Sequence, residues 1–174
     1  WMQGAKEQVQ RESEEETLES MSLHINNLVE QDQNIMIVWG SGGTLRQICK
    51  LSGNESTLLG IDIQHSGKMH LDLNEQGLLE IISQHVGSKL LLLSPMGGQG
   101  FLIGRGNLQL SPAVLRLIGI ENILGIATPA KLLGLNSLRI DTGDPELDQE
   151  IRDRKYMKML QGYRTTRVIR VADD

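Results

Sequence analysis

The sequence predicts a Rossmann-like three-layer α/β domain, with a mainly parallel sheet and helices on both faces. Two kinds of segment alternate along the chain. Short, continuously apolar segments are typical of strands buried on both faces, and the segments of roughly ten residues between them carry a polar face and favour helix. Glycine-rich or proline-containing turns follow several apolar segments and begin the helices. In open sheets of this kind the ligand lies beyond the carboxyl ends of the strands, so we expect a site at that edge.

Composition narrows the class of protein. The 174 residues suffice for one domain with its own core, and the 3% aromatic content leaves that core to aliphatic residues and methionine. The net charge of −5 argues against general nucleic-acid binding. No apolar run approaches the ~20 residues that span a bilayer, and the N-terminus lacks a signal-peptide pattern. The single cysteine, Cys49, is predicted to be a buried thiol in a reducing compartment, so we expect a cytoplasmic protein without membrane contacts.

The N-terminal segment, residues 1–30, is predicted to be an acidic helical connector that precedes a single ligand-binding domain, residues 31–174. A helix is expected from about Ser13 to Val29, where apolar residues become frequent. The glutamates before it are typical of a solvated helix face rather than a metal site. The stretch from Gln3 to Glu16 has few apolar residues, so we expect it to contribute little to the core.

The first half of the domain reads as strands separated by turns and helices. Strands are predicted over 34–39, 57–63, 69–73 and 89–94. A helix through Leu51 follows the first strand, and a second helix, capped by Asn74, runs to about Val86.

In the second half, proline marks the start of each helix. Ser111-Pro112, Thr128-Pro129 and Asp144-Pro145 each place a capping side chain before a proline, which loses no hydrogen bond at the first helical position. Strands are predicted over 122–127 and 138–141, and a final pair over 156–160 and 164–171 is joined at Gly162.

The glycine-rich turn after the first strand is a candidate anion site. Gly42 and Gly43 would let backbone amides approach a phosphate, and the following helix would add its positive end. Thr44 and Arg46 are the side chains predicted to contact phosphate oxygens. The alternative is a tight turn without a ligand, because short glycine-rich turns are common in this fold class.

The densest glycine cluster follows the strand at 89–94 and is the stronger candidate. A long loop at the ligand edge of a sheet is usually functional. Its spacing is one residue longer than the dinucleotide fingerprint G-x-G-x-x-G, so a structural loop remains the alternative. Arg105 offers a planar fork of donors suited to phosphate. The predicted ligand-binding residues are Gly97, Gly98, Gln99, Gly100, Gly104, Arg105, Gly106 and Asn107.

Four further residues are candidates at strand ends and helix starts. Thr128 and Lys131 would join the same anion site, although Lys131 also fits a surface lysine. Asp62 would hold a ribose hydroxyl or Mg²⁺, or else cap the adjacent turn. Asp141 is predicted to be a strand-end ligand residue. No metal site is predicted, since the histidines lack the spacing of zinc ligands.

Five stretches of the chain resemble the C-terminal region of the ATP-NAD kinase-like family, which includes proteins encoded beside acetoin-catabolism genes. The longest is Met-Gly-Gly-Gln-Gly-Phe-Leu-Ile-Gly-Arg-Gly-Asn at 96–107, and it is the most specific. The others are Gln-Gly-Ala-Lys at 3–6, Thr-Leu-Leu-Gly-Ile-Asp at 57–62, Ala-Thr-Pro-Ala-Lys at 127–131 and Leu-Arg-Ile-Asp-Thr-Gly-Asp at 138–144.

The resemblance implies a role in nucleotide chemistry. Family members look like kinases because of an upstream domain with a Gly-Gly-Asp-Gly-Thr motif, and here the nearest approach, 41–44, has Gly42 in place of the aspartate. We therefore expect a longer parent that uses ATP, NAD and Mg²⁺, with this chain binding a small phosphorylated ligand beside the upstream kinase-like domain. Its catalytic residues stay unassigned, and a homo-oligomer stays open. The alternative is a non-catalytic module that binds or senses a sugar phosphate or nucleotide.

Overall fold

The computed structural model describes residues 2–104 and 107–174. The helices are α1 Met2–Gln31, α2 Gly43–Leu51, α3 Glu75–Gln84, α4 Pro112–Ile118, α5 Pro129–Leu133 and α6 Pro145–Asp153. The strands are β1 Met36–Trp39, β2 Asp62–His65, β3 Lys68–His70, β4 Lys89–Leu93, β5 Phe101–Ile103, β6 Ile123–Ile126, β7 Arg139–Ile140, β8 Tyr156–Gly162 and β9 Thr165–Arg170. None of the helices within these residues is long and apolar enough to cross a membrane.

A mainly parallel sheet organises the described residues, as predicted. Its strand order is β3-β2-β1-β4-β6-β8-β9. The neighbours β1, β4, β6 and β8 run parallel, while β2 pairs antiparallel with β1 and β9 pairs antiparallel with β8. The carboxyl ends of the four parallel strands therefore meet at one edge of the sheet.

The side chains of β1 alternate between two buried clusters, one on each face of the sheet. Met36 and Val38 join the cluster that holds the apolar faces of α3, α4 and α6. Ile37 and Trp39 join the cluster that holds α1 and α2. The three-layer architecture is thus confirmed. Cys49, on α2, is fully buried, and burial raises the pKa of its thiol to about 11, which confirms the predicted buried thiol.

The predicted helix starts are confirmed by their caps. The side chains of Asn74, Ser111, Thr128 and Asp144 each accept a hydrogen bond from an amide in the first turn, at 2.8 to 3.3 Å. These bonds satisfy backbone donors that lack a partner inside the helix. Local residue chemistry alone is sufficient to locate these boundaries.

Four predicted element boundaries were wrong. The strand predicted over 69–73 ends at His70. The second strand begins at Asp62 rather than at 57. The backbone before Asp62 instead hydrogen-bonds the turn after β1, because the Leu58 carbonyl accepts from the Gly42 amide at 2.9 Å. The segment Phe101–Ile103 is a strand inside the predicted loop, since it pairs with β7 in a separate small sheet. The first helix begins at Met2, well before Ser13.

The second half of α1 packs against the sheet. Met21 and Ile25 are fully buried in the cluster with α2 and β8. The helix is also bonded to the β8–β9 hairpin, because Ser20 Oγ accepts from the amide of Tyr163 and His24 Nδ1 accepts from the amide of Arg164. By its contacts this half of the helix lies with the α/β domain, whereas residues 13–16 are exposed.

Candidate functional site

The turn after β1 leads directly into α2. Gly42 precedes the helix with a φ of 121° and no side chain caps the helix start. A Cβ added at Gly43 would meet nothing within 4 Å. The start of α2 is therefore open to solvent, with the positive end of a nine-residue helix uncovered.

The second glycine cluster begins with a tight turn over residues 97–100. Backbone hydrogen bonds between Met96 and Phe101, at 2.8 and 3.3 Å, close this turn. Gly97 and Gly100 adopt φ values of 67° and 74°, which favour glycine. The space beside the Gly98 backbone is open, since an added Cβ would meet nothing within 4 Å. Gly97 and Gly98 thus present bare, exposed backbone at the carboxyl edge, whereas Gly100 is buried against Leu135 and Ser137.

One side-chain hydrogen bond joins the two glycine clusters. Ser41 Oγ donates to Asn107 Oδ1 at 3.1 Å, although the residues are 66 positions apart. Both residues are partly buried. The end of the second stretch therefore lies beside the beginning of the first, at Asn107 and Ser41.

Two cations lie against the glycine turn. Lys131 Nζ donates to the carbonyl of Gly97 at 3.2 Å, so the lysine contacts the second cluster, and its role in an anion site stays a prediction. Thr128 caps α5 and lines a groove of about 270 Å³ against the N-terminal helix. Arg139 Nη1 lies 3.5 Å from Gln99 Oε1. Arg139 was not among the predicted site residues, although it lies in one of the five family-like stretches.

Asp141 lies at the end of β5, beside Gly104. Its amide donates to the carbonyl of Ile103 at 2.8 Å, and its Oδ1 accepts from the amide of Gly143 at 3.2 Å. The parallel pairing of β5 with β7 produces this placement. The predicted strand-end aspartate thus lies next to the second cluster.

The loop that carries Asp141 is anchored by a buried carboxylate that sequence reasoning missed. Asp148 on α6 is 8% exposed, and its Oδ1 accepts from both the amide and the hydroxyl of Thr142, at 2.8 and 2.5 Å. A threonine followed six residues later by an aspartate inside a helix is the available sequence signal. Asp148 therefore positions the loop rather than a ligand.

We expect Thr142→Val to lower the free energy of unfolding by about 1.5–2 kcal/mol, because it removes a hydrogen bond to a charged group while keeping the side-chain shape. Urea unfolding measures the change. Thr165→Val is the control, since the Thr165 hydroxyl donates only to a neutral carbonyl in an exposed turn. Equal losses for both variants would contradict the anchoring role of Asp148.

Asp62 is fully buried at the start of β2. Its carboxylate accepts from the amide and hydroxyl of Thr57, at 2.8 and 2.9 Å, and from the amide of Asp72 at 2.8 Å. This arrangement corresponds to the turn-capping alternative. A ribose or Mg²⁺ would have to displace these donors, so the ligand role of Asp62 stays an untested prediction.

The remaining predicted site residues lie on α2 or outside the part of the chain that the structure describes. Thr44 and Arg46 both lie in the first turn of α2, where the Arg46 amide donates to the carbonyl of Gly42 at 3.0 Å. Arg46 also lines a hollow of about 260 Å³ with Asn54 and Ser56. Arg105 and Gly106 lie outside the described residues. Among the described residues, no group of three or more His, Cys, Asp or Glu is arranged to hold a metal ion.

A histidine pair lies at the opposite edge of the sheet. The rings of His65 and His85 meet edge to face with centroids 4.8 Å apart. His65 Nε2 lies 3.0 Å from Asn34 Oδ1, and Asn34 Nδ2 donates to the carbonyl of Val86 at 2.8 Å. Burial, followed by the charges of His85 and His70, lowers the pKa of His65 below its ordinary value of 6.5.

This shift predicts lower stability in acid. Because the pKa of His65 is lower in the folded chain, its contribution to stability is present above pH 6.5 and is lost as the pH falls through the folded value. We expect the free energy of unfolding to fall as the pH is lowered through and below 6.5, and the free energy of unfolding of His65→Gln to fall less steeply. An unchanged slope in His65→Gln would assign the effect to other groups, such as His24, whose pKa is also lowered by burial.

Comparison with known proteins identifies one similarity. A family model described as the ATP-NAD kinase C-terminal domain matches residues 32–171. No curated protein and no solved structure matches the chain. The matched range includes both glycine clusters, Lys131, Arg139 and Asp141.

Proposed function

Because this chain belongs to the ATP-NAD kinase C-terminal domain family, we propose that its carboxyl edge binds the phosphate groups of a nucleotide or another small phosphorylated ligand. The observation that carries this proposal is the hydrogen bond between Ser41 and Asn107, which places the end of the second glycine cluster beside the turn at the start of α2. In the full-length protein this binding would hold the ligand for phosphoryl transfer to NAD.

The proposed binding mode is electrostatic. The uncapped start of α2 offers amides and a positive helix end, while Gly98 leaves room for an anion to approach the backbone of the second turn. Lys131 adds a positive charge beside that turn. Phosphoryl transfer depends mainly on such positioning and charge stabilisation, so a domain of this kind contributes without a nucleophile.

The family implies ATP, NAD and a metal for the full-length enzyme. Mg²⁺ is usually held by one or two carboxylates together with substrate phosphates. The carboxylate of Asp62, the predicted candidate, is fully buried and bonded to Thr57 and Asp72. Asp62 does not fit this role in its present arrangement, because its oxygens are already occupied by protein donors.

The second candidate function is a non-catalytic module that binds or senses a phosphorylated metabolite. Loss of the aspartate from the upstream motif of the full-length protein would favour this module, whereas its retention there would favour the enzyme; within this chain the nearest approach to that motif, at 41–44, has Gly42 in place of an aspartate. We expect the 174-residue chain to form no NADP from NAD, ATP and Mg²⁺ under either function. Measurable NADP formation in a coupled assay would contradict this expectation and require a catalytic group in the chain itself.

Gly43→Ala tests the binding surface. The added methyl group meets no protein atom within 4 Å, so the fold tolerates it, but it occupies the space through which an anion approaches the start of α2. We expect binding to weaken by about tenfold, or about 1.4 kcal/mol, with a melting temperature that is unchanged or slightly higher. Calorimetric titration with NAD, ATP, polyphosphate and a sugar phosphate measures the affinity.

Gly4→Ala is the matched control, because Gly4 is also a helical glycine whose added Cβ would meet nothing within 4 Å. It should leave both affinity and stability unchanged. If none of the four ligands binds the unmodified chain, or if Gly43→Ala binds as tightly as Gly4→Ala, the proposed function is wrong.

A further inference from the structure

We propose that Arg139, acting together with Lys131, binds a phosphate group of the ligand at the turn over residues 97–100. The inference rests on the proposed function and specifies the ligand chemistry of that site. It assigns the turn an anion-binding role through two cations that reach it from different elements, β7 and α5.

Arg139 is tied to the turn through both its backbone and its side chain. Its amide donates to the carbonyl of Gly100 at 2.8 Å. Its guanidinium lies over the Phe101 ring, 5.7 Å from the centroid, and Nη1 lies 3.5 Å from Gln99 Oε1. A guanidinium over an aromatic ring is attracted to its face while its N–H edge stays available. These contacts hold Arg139 at the turn before a ligand arrives.

Neither cation forms an ion pair with a described residue. Lys131 and Arg139 contact only neutral oxygens, the Gly97 carbonyl and the Gln99 amide. Arg116 behaves differently, because it pairs with Asp144 at 2.9 Å and with Glu150 at 3.5 Å. In a chain with a net charge of −5, two cations held at one glycine turn without a carboxylate point to an external anion.

The turn has room for that anion. Added Cβ atoms at Gly97 and Gly98 would meet nothing within 4 Å, so the space above the backbone is open. An ammonium has three N–H donors and a guanidinium has five. The side-chain nitrogens of Lys131 and of Arg139 each make one contact to the turn, so both side chains have further donors to offer a phosphate. The planar fork of Arg139 suits two phosphate oxygens, and Lys131 supplies a point charge beside it.

The test compares Arg139→Gln, Arg139→Lys and the unmodified chain, with inorganic pyrophosphate and NAD as probes in calorimetric titrations. We expect Arg139→Gln to weaken binding at least about tenfold and to flatten its dependence on salt, because a charged contact is lost. Arg139→Lys should recover part of the affinity. Arg167→Gln, on the exposed edge strand β9, is the control and should bind like the unmodified chain.

The melting temperature without ligand separates binding from a structural role. Arg139→Gln should melt like Arg167→Gln. A lower melting temperature with unchanged affinity would overturn the inference and make Arg139 a support for the turn. If the unmodified chain binds and Gly43→Ala weakens binding while Arg139→Gln does not, the inference fails and the proposed function stands. If neither probe binds the unmodified chain, the proposed function fails and the inference fails with it.

Discussion

Met21→Ala is expected to lower the free energy of unfolding by about 2–5 kcal/mol, because it removes a fully buried side chain and leaves a cavity between α1 and the sheet. Urea unfolding followed by circular dichroism measures the loss. The result bears on the N-terminal boundary of the domain, which the sequence predicts at residue 30.

Leu23→Ala is the matched control for this prediction. Leu23 lies two positions along the same helix but is 60% exposed, so its truncation should change stability by no more than about 0.5 kcal/mol. Similar small losses for both variants would mean that α1 is dispensable and that the domain begins after it. A large loss for Met21 alone would place the second half of α1 inside the domain.

Gly40→Ala is expected to cost at least about 3 kcal/mol, at the upper end of the usual range for overpacking. An added Cβ would lie 2.7 Å from the carbonyl oxygen of Leu92 and 2.9 Å from Leu93 Cδ2. The same carbonyl accepts from the Gly40 amide at 2.9 Å, so β4 cannot retreat without weakening its pairing with β1. Thermal unfolding measures the effect as a lower melting temperature.

Gly43→Ala, three residues later, is the control for Gly40→Ala. Its added Cβ meets no atom within 4 Å, and alanine favours helix more than glycine does, so the fold should be unchanged or slightly more stable. If both substitutions are tolerated equally, the close approach of β1 and β4 at Gly40 does not limit stability. The two glycines of one turn thus have opposite expected roles, the first in packing and the second in binding.

Much of the fold is predictable from local chemistry. The continuous apolar runs at 34–39 and 89–94 indicate strands buried on both faces, and β1 and β4 lie at the centre of the sheet. Capping residues before proline locate the starts of α4, α5 and α6. These signals work because burial on two faces and helix capping depend on residues close together in the chain.

The sequence by itself determined the mainly parallel α/β class, most helix starts and the two glycine clusters as separate features. Only the tertiary structure decided that the Ser41 hydroxyl donates a hydrogen bond to Asn107 and that Arg139 lies at the turn over residues 97–100. It also decided that β5 pairs with β7, which places Asp141 beside Gly104. The two side-chain contacts join residues 66 and 40 positions apart. No local pattern encodes such contacts, because they depend on how separate elements pack once both faces of the sheet are covered.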